Sequence, residues 1–221
     1  MGAYALIASD KREVTYVDGE VVYSSDDVEK IVSTKAGLIT ACGAVDLLTP
    51  VKTRLAEMDV SNSDEILEII TSERQRFKTA AVASPWGSCA LSTTSWLLSY
   101  GSVDESDRPI VRLALYHPHL HESLFSIIEK TLPIYPGGTS EGQANEWTAA
   151  IRDRIDSIDH SAGVESVLTQ AISHFGWLVD QVAQASPSVS RVFDIGIMSS
   201  TGGRAIARGV EPGGAYSFED A

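Results

Sequence analysis

The chain has 221 residues, a length that fits a single domain with a substantial buried core. Its 17 Lys and Arg residues against 30 Asp and Glu residues give a formal net charge of −13. This balance argues against a nucleic-acid partner, because phosphate binding requires clustered basic residues. No apolar run approaches the roughly 20 residues that cross a bilayer, and the start lacks the pattern of a signal peptide. We therefore expect a cytoplasmic protein without a nucleic-acid or membrane partner.

The amino-terminal part of the chain is predicted to form strands. Residues 4–9 and 13–23 are rich in apolar and β-branched residues, and the polar turn "DKR" separates them. A second turn is predicted at the Asp-Gly pair at 18 and 19. The segments 28–34 and 36–43 are again β-branched and apolar, with a break near Gly37. This part of the chain therefore predicts two consecutive strand pairs.

Two helices are predicted next. Apolar residues recur at helical spacing over 44–58, where Pro50 indicates a kink or a restart. Ser61 and Ser63, followed by two acidic residues, are typical of a helix N-cap, and they precede a second helical segment at 65–82.

The rest of the chain repeats the alternation of strands and helices. Three further strands are predicted, then two helices, then two closing strands. The predicted strands cover 88–101, 109–118, 124–136, 191–201 and 203–210, and the predicted helices cover 144–158 and 164–185. Residues 210–221 are expected to form a loose tail after a domain of residues 1–209.

The order of these elements predicts the fold class. Each helix pair follows a block of antiparallel strands, whereas a doubly wound parallel sheet would alternate single helices with single strands. We therefore predict an α+β fold with four layers, αββα, in which two antiparallel sheets lie between helix layers.

Four motifs occur in a characteristic order along the chain: "VTYVDG", "VEKIVS", "LITACGAVDLL" and "YPGGTSEGQA". Together they resemble the proteasome-type N-terminal nucleophile hydrolases, which are the proteasome subunits and their bacterial relatives. The resemblance spans nearly the whole chain. It implies the same four-layer sandwich and assembly of copies of the chain into a ring or another homo-oligomer.

The resemblance also implies a threonine-type peptidase or amidohydrolase that acts on peptide or protein substrates. In this family the nucleophile is the hydroxyl of an amino-terminal threonine, and its α-amino group acts as general base. By position in the motifs, Lys30 matches the lysine beside that hydroxyl, and Asp18 matches the aspartate that orients the lysine. Gly43, or the adjacent Cys42, matches the oxyanion donor. No cofactor is implied.

The nucleophile itself departs from the family pattern. Gly2 or Ala3 falls at its position, and neither side chain has a hydroxyl or a thiol. The accessory Asp-x-x-Ser motif also departs, since Ser186 matches its serine while Ala183 occupies the aspartate position and Asp180 lies a turn earlier. Two hypotheses stay open: a hydrolase whose nucleophile is replaced in this chain, and a natural non-catalytic ring-forming or scaffold subunit.

Other local patterns carry alternative hypotheses. His117, His119 and His121 have the spacing that would place three imidazoles on one face of a strand for zinc or nickel, but a proline interrupts them. An exposed strand end or a subunit contact is the favoured interpretation. Cys42 and Cys89 lie among apolar or small residues, which predicts reduced thiols and no disulfide.

Overall fold

The computed structural model describes residues 3–18, 20–80, 85–121, 123–129 and 131–221. These residues form eleven strands, five α-helices and one short 3-10 helix at His160–Ala162. The strands are β1 (Tyr4–Asp10), β2 (Glu13–Val17), β3 (Glu20–Ser25), β4 (Val32–Ser33), β5 (Gly37–Cys42), β6 (Ser95–Val103), β7 (Pro109–Tyr116), β8 (Ser126–Ile128), β9 (Phe193–Ser199), β10 (Arg204–Val210) and β11 (Glu219–Asp220). The helices are α1 (Val45–Glu57), α2 (Ser63–Ala80), α3 (Pro85–Thr93), α4 (Glu141–Asp156) and α5 (Val164–Ala185).

Two antiparallel sheets form the centre of the molecule. One has the strand order β1-β9-β10-β11 and the other the order β4-β5-β6-β7-β8, while β2 and β3 form a separate hairpin. The two larger sheets pack face to face through apolar side chains. Ala5 and Ile7 of β1 and Ile206 of β10 share one buried cluster with Leu38 of β5 and Val111 of β7. The removal of these side chains from water stabilises the sandwich.

A helix layer covers the outer face of each sheet. On the five-stranded sheet, Leu47 and Val51 of α1 and Ile66 of α2 pack against Trp96 and Leu98 of β6. On the four-stranded sheet, α5 packs its apolar face on β9 and β10, and α4 packs beside α5. The predicted four-layer αββα sandwich is therefore confirmed.

The predicted strand over 88–101 begins only at Ser95, because residues 85–93 form α3. The small and hydroxyl-bearing residues there have no clear helical period. Their side-chain hydroxyls instead donate hydrogen bonds to a backbone carbonyl of the helix. The hydroxyls of Ser92 and Thr93 each donate to the Cys89 carbonyl at 2.9 Å. The β-branched residues that favoured a strand therefore belong partly to the last helical turn.

Other predicted boundaries shift in the structure. The N-cap of α2 is Asn62, whose Oδ1 accepts the backbone N–H groups of Asp64 and Glu65 at 3.0 Å each. Of the predicted strand 28–34, only β4 is a strand. The tail that was predicted to be loose returns to the sheet, where β11 pairs with β10. Helix α1 passes through Pro50 and continues to Glu57.

In the part of the chain that the structure describes, no helix combines the length and the apolar character needed to cross a membrane.

Candidate functional site

Lys30 and Asp10 form an ion pair at the end of β1. The Lys30 Nζ lies 2.8 Å from Asp10 Oδ2, and the two side chains are only 17% and 19% exposed. The other carboxylate oxygen of Asp10 accepts the backbone N–H of Arg12 at 2.7 Å and that of Ser190 at 3.4 Å. Because these backbone bonds fix the carboxylate, the position of the Lys30 ammonium is fixed with it.

The residues on either side of Lys30 are held by the four-stranded sheet. Arg208 of β10 lies 3.3 Å from the carboxylate of Glu29, and it donates to the Ile31 carbonyl at 3.3 Å. Its other nitrogen donates at 2.9 Å to Asp194, a carboxylate that is only 1% exposed. Lys30 therefore sits on a segment that is anchored on both sides.

The ion pair opens onto a cavity of about 1160 Å³, whose wall near Lys30 also includes Cys42, Gly43 and Lys52. Burial raises the pKa of the Cys42 thiol, while the nearby charge of Lys30 acts in the opposite direction. Burial, and then the charge of Lys30, lower the pKa of Lys52. The cavity wall therefore brings together two lysines, a carboxylate and a thiol.

Gly43 joins β5 to α1 on the same cavity wall. Its φ of +134° lies in the region that favours glycine, and a Cβ atom there would lie 2.4 to 2.7 Å from atoms of Thr94. The Thr94 hydroxyl accepts the backbone N–H of Ala44 at 3.0 Å and donates to the Ala90 carbonyl at 2.7 Å. The structure thus brings Lys30, Gly43 and the adjacent Cys42 to one cavity, whose wall also includes Ala3.

Of the other predicted site residues, Ala3 also lies on the wall of this cavity, whereas Asp18 is not part of that wall. Asp18 is exposed in the turn between β2 and β3 with a φ of +52°, and the acid that contacts Lys30 is Asp10. Ala3 precedes the first residue of β1, so about 23 Å of extended strand separate it from Asp10. Gly2 lies outside the described residues. The catalytic roles assigned to these positions from the sequence stay predictions.

Asp10 is the site residue that sequence reasoning missed. It was assigned to the polar turn "DKR", where an aspartate is expected for local reasons. The available signal was its place at the end of a half-buried strand, where a carboxylate can reach across to another element.

The histidines and the accessory motif form separate local contacts. His117 Nδ1 accepts the backbone N–H of His119 at 3.2 Å, and His121 Nδ1 accepts that of Ser123 at 3.3 Å. Over the described ranges, no group of three or more His, Cys, Asp or Glu side chains is placed to hold a metal ion. At the end of α5, Asp180 pairs with Arg191 at 2.7 Å.

The structure is similar to those of three Anbu proteins. Anbu from Hyphomicrobium sp. strain MC1 is 14% identical with a TM-score of 0.54, and the match covers 98% of this chain and 83% of that chain. Anbu from Pseudomonas aeruginosa, solved as a helical assembly, is 15% identical with a TM-score of 0.54 over the same shares of the two chains. Anbu from Yersinia bercovieri, described as an ancestral beta-subunit, is 15% identical with a TM-score of 0.54 and covers 88% of this chain and 76% of that chain.

No protein-family model matches the sequence, and a sequence search of curated proteins finds no match. The structural similarities therefore show the fold, which is that of the proteasome-type N-terminal nucleophile hydrolases.

Proposed function

We propose that this chain is a proteasome-like subunit whose Lys30 site takes part in the hydrolysis of peptide or amide bonds. The observation that carries the proposal is the Lys30–Asp10 ion pair on the wall of a large cavity in this fold. An ammonium group that a fixed carboxylate holds in a cavity can favour the deprotonated form of a nearby nucleophile. Asp10 then performs the orienting role that the sequence assigned to Asp18.

Gly43 supports the same chemistry. It lies on the cavity wall with Lys30, and its packing against Thr94 fixes the backbone at the start of α1. A fixed backbone N–H near a helix N-terminus is suited to stabilising the oxyanion that forms during amide hydrolysis. We propose Gly43 as that donor.

The position of Lys30 also limits where a nucleophile can act. A group that works with Lys30 has to lie at the Asp10 end of β1, and Ala3 lies about 23 Å away along the strand. Among the described residues, Cys42 provides a thiol on the cavity wall that also includes Lys30 and Asp10. A threonine at Ala3 is therefore not expected to act with Lys30.

The test is hydrolysis of a set of fluorogenic peptide amides by the wild type, Lys30→Ala and Lys35→Ala. Lys35 is the matched control, because it forms an ion pair with Asp59 in which both side chains are exposed. We expect Lys30→Ala to reduce hydrolysis at least about 100-fold and Lys35→Ala to leave it unchanged. Hydrolysis that survives Lys30→Ala would contradict the proposed role.

A non-catalytic subunit is the second candidate. It is supported by the missing hydroxyl at Ala3 and by the burial of the Cys42 thiol, which raises its pKa and keeps it protonated near neutral pH. This candidate predicts no hydrolysis by any of the three proteins and an assembly that Lys30→Ala leaves intact.

We also propose that copies of this chain assemble with one another in the cytoplasm. The proposal is supported by the fold shared with Anbu, whose Pseudomonas aeruginosa form is a helical assembly.

A further inference from the structure

A buried carboxylate lies behind the Lys30 site. Asp194 of β9 is only 1% exposed, and it pairs with two cations. Its Oδ2 accepts Arg208 Nη1 at 2.9 Å, and its Oδ1 lies 3.8 Å from the Nζ of Lys11. Oδ1 also accepts the backbone N–H of Gly209 at 3.0 Å. Because a buried charge is unfavourable unless it is paired and hydrogen-bonded, these contacts keep the Asp194 carboxylate in one place.

A β-bulge in β10 brings Arg208 to this carboxylate. The pairing of β10 with β9 shifts by one residue after Ala207, so Arg208 and Gly209 both lie opposite Asp194. Gly209 has a φ of +63°, in the left-handed region that favours glycine. Bulges change the direction of a side chain and are common beside active sites. Here the bulge directs Arg208 towards the segment that carries Lys30.

Arg208 connects the buried carboxylate to the Lys30 segment. Its Nη2 donates to the Ile31 carbonyl at 3.3 Å and lies 3.3 Å from the carboxylate of Glu29. Glu29 and Ile31 are the residues directly before and after Lys30. The planar guanidinium can make these contacts and the contact with Asp194 at once, because its nitrogens point in fixed and different directions.

Lys11 connects the same carboxylate to the other member of the ion pair. Lys11 follows Asp10 in the chain, its side chain is 14% exposed, and its Nζ faces Asp194. Its backbone is held as well, since the Lys11 N–H donates to the Val192 carbonyl at 3.2 Å and the Lys11 carbonyl accepts the Val28 N–H at 3.3 Å. One buried carboxylate is thus connected to the neighbours of both members of the ion pair.

We propose that Asp194 and Arg208 are positioning residues, which hold the Lys30 ammonium against Asp10 on the cavity wall. Neither Asp194 nor Arg208 is part of that wall, so both act through the bonds of Arg208 to the Lys30 segment. A displacement of about 1 Å at a reacting group can lower a rate severely. The catalytic importance of this positioning rests on the function proposed for Lys30, whereas the positioning itself does not.

The test is competitive acetylation of the lysines by a trace of acetic anhydride, followed by peptide mass spectrometry, in the wild type, Asp194→Asn and Arg208→Gln. In the wild type we expect Lys30 to react more slowly than Lys35, because Lys30 is 17% exposed and bonded to Asp10 while Lys35 is 66% exposed. In both variants the Lys30 rate, relative to that of Lys35, should rise about fivefold or more, as expected for the loss of one hydrogen bond.

Two controls separate positioning from stability and from charge. Ile172→Val removes a methyl group from the buried cluster between α5 and the four-stranded sheet, so it lowers stability and should leave the Lys30 rate unchanged. Arg208→Lys keeps a cation for Asp194, but its single nitrogen cannot replace the two guanidinium nitrogens that reach Asp194 and the Ile31 carbonyl. We expect Arg208→Lys to unfold at a higher temperature than Arg208→Gln and still to show the faster acetylation of Lys30.

Four results would overturn the proposal. They are an unchanged Lys30 rate in folded Asp194→Asn or Arg208→Gln, an equal rise in Ile172→Val, a wild-type rate in Arg208→Lys, and equal rates at Lys30 and Lys35 in the wild type. If Asp194→Asn does not fold, Arg208→Gln decides the question, since the Arg208 side chain is 30% exposed.

Hydrolysis of fluorogenic peptide amides by the same samples tests the proposed function separately. Faster acetylation of Lys30 in the variants of a protein that hydrolyses nothing as the wild type would support the positioning and contradict the proposed hydrolysis. Unchanged acetylation in the variants of an active protein would contradict the positioning alone.

Discussion

Asp10 combines a structural role and a proposed chemical role in one carboxylate. It accepts two backbone N–H groups and pairs with Lys30 in a largely buried setting. Asp10→Asn should therefore lower the free energy of unfolding by about 1–3 kcal/mol, because Lys30 loses its charged partner. Asp59→Asn breaks the exposed ion pair with Lys35 and should lower the free energy of unfolding by less than about 1 kcal/mol. Urea denaturation of both variants measures the two losses in free energy of unfolding. Equal losses would contradict the burial of the Lys30–Asp10 pair.

Cys42 gives a prediction with a defined pH dependence. Burial raises the pKa of this thiol, so a smaller fraction is thiolate near neutral pH than for an ordinary cysteine. At pH 7.5 we expect iodoacetamide to modify Cys42 at least about tenfold more slowly than the exposed Cys89. The rate at Cys42 should rise as the pH rises through the raised pKa.

Lys30→Ala should shift this pH profile further. The charge of Lys30 lowers the pKa of Cys42, so its removal should move the Cys42 profile to higher pH and leave the Cys89 profile unchanged. Peptide mass spectrometry after timed alkylation follows the two cysteines separately. A Cys42 profile that does not respond to Lys30→Ala would show that the two side chains do not interact.

At the scale of elements, the junction between β5 and α1 depends on a glycine. Gly43→Ala would place a Cβ atom within 2.7 Å of Thr94 at a backbone conformation that side chains rarely adopt. We expect a loss of about 2 kcal/mol or more in the free energy of unfolding. Gly142→Ala in α4 meets open space and should leave stability unchanged or raise it by up to about 1 kcal/mol. Thermal unfolding of both variants tests the pair, and a neutral Gly43→Ala would contradict the close contact with Thr94.

Helices α5 and α3 differ in how well they could be predicted from the sequence. Helix α5 was predicted over the range that it occupies, because its apolar residues keep a helical period over many turns. Helix α3 was missed because its small and hydroxyl-bearing residues have no such period, and their hydrogen bonds to the Cys89 carbonyl arise only in the folded helix. A local sequence pattern predicts a helix well where apolar residues repeat with the helical period and form the face that packs against the sheet.

The candidate site could be predicted only in part. Lys30 and Gly43 were found through motifs that lie within one or two elements each. The pairing of Lys30 with Asp10 depends on how the chain returns after the β2–β3 hairpin, where the Val28 N–H donates to the Lys11 carbonyl at 3.3 Å. No local sequence pattern shows that the chain comes back to Lys11 at this point. The orienting role was therefore assigned to Asp18, which matches the family motif.

At the scale of the whole molecule, the four-layer sandwich leads to a prediction about assembly. The self-assembly proposed for this chain predicts that light scattering gives a mass several times that of one chain. Lys30 lies on the wall of the internal cavity, so Lys30→Ala should leave that mass unchanged. A mass equal to one chain would contradict self-assembly.

The most direct test of a reactive Lys30 site is intact-mass spectrometry after exposure of the protein to a β-lactone acylating agent. A hydrolytic site predicts one stoichiometric adduct that is lost in Lys30→Ala and retained in Lys35→Ala. Peptide mapping of the adduct would then identify the nucleophile, with Cys42 as the described thiol on that cavity wall. An unmodified mass for the wild-type protein would contradict a hydrolytic site and would favour the non-catalytic subunit.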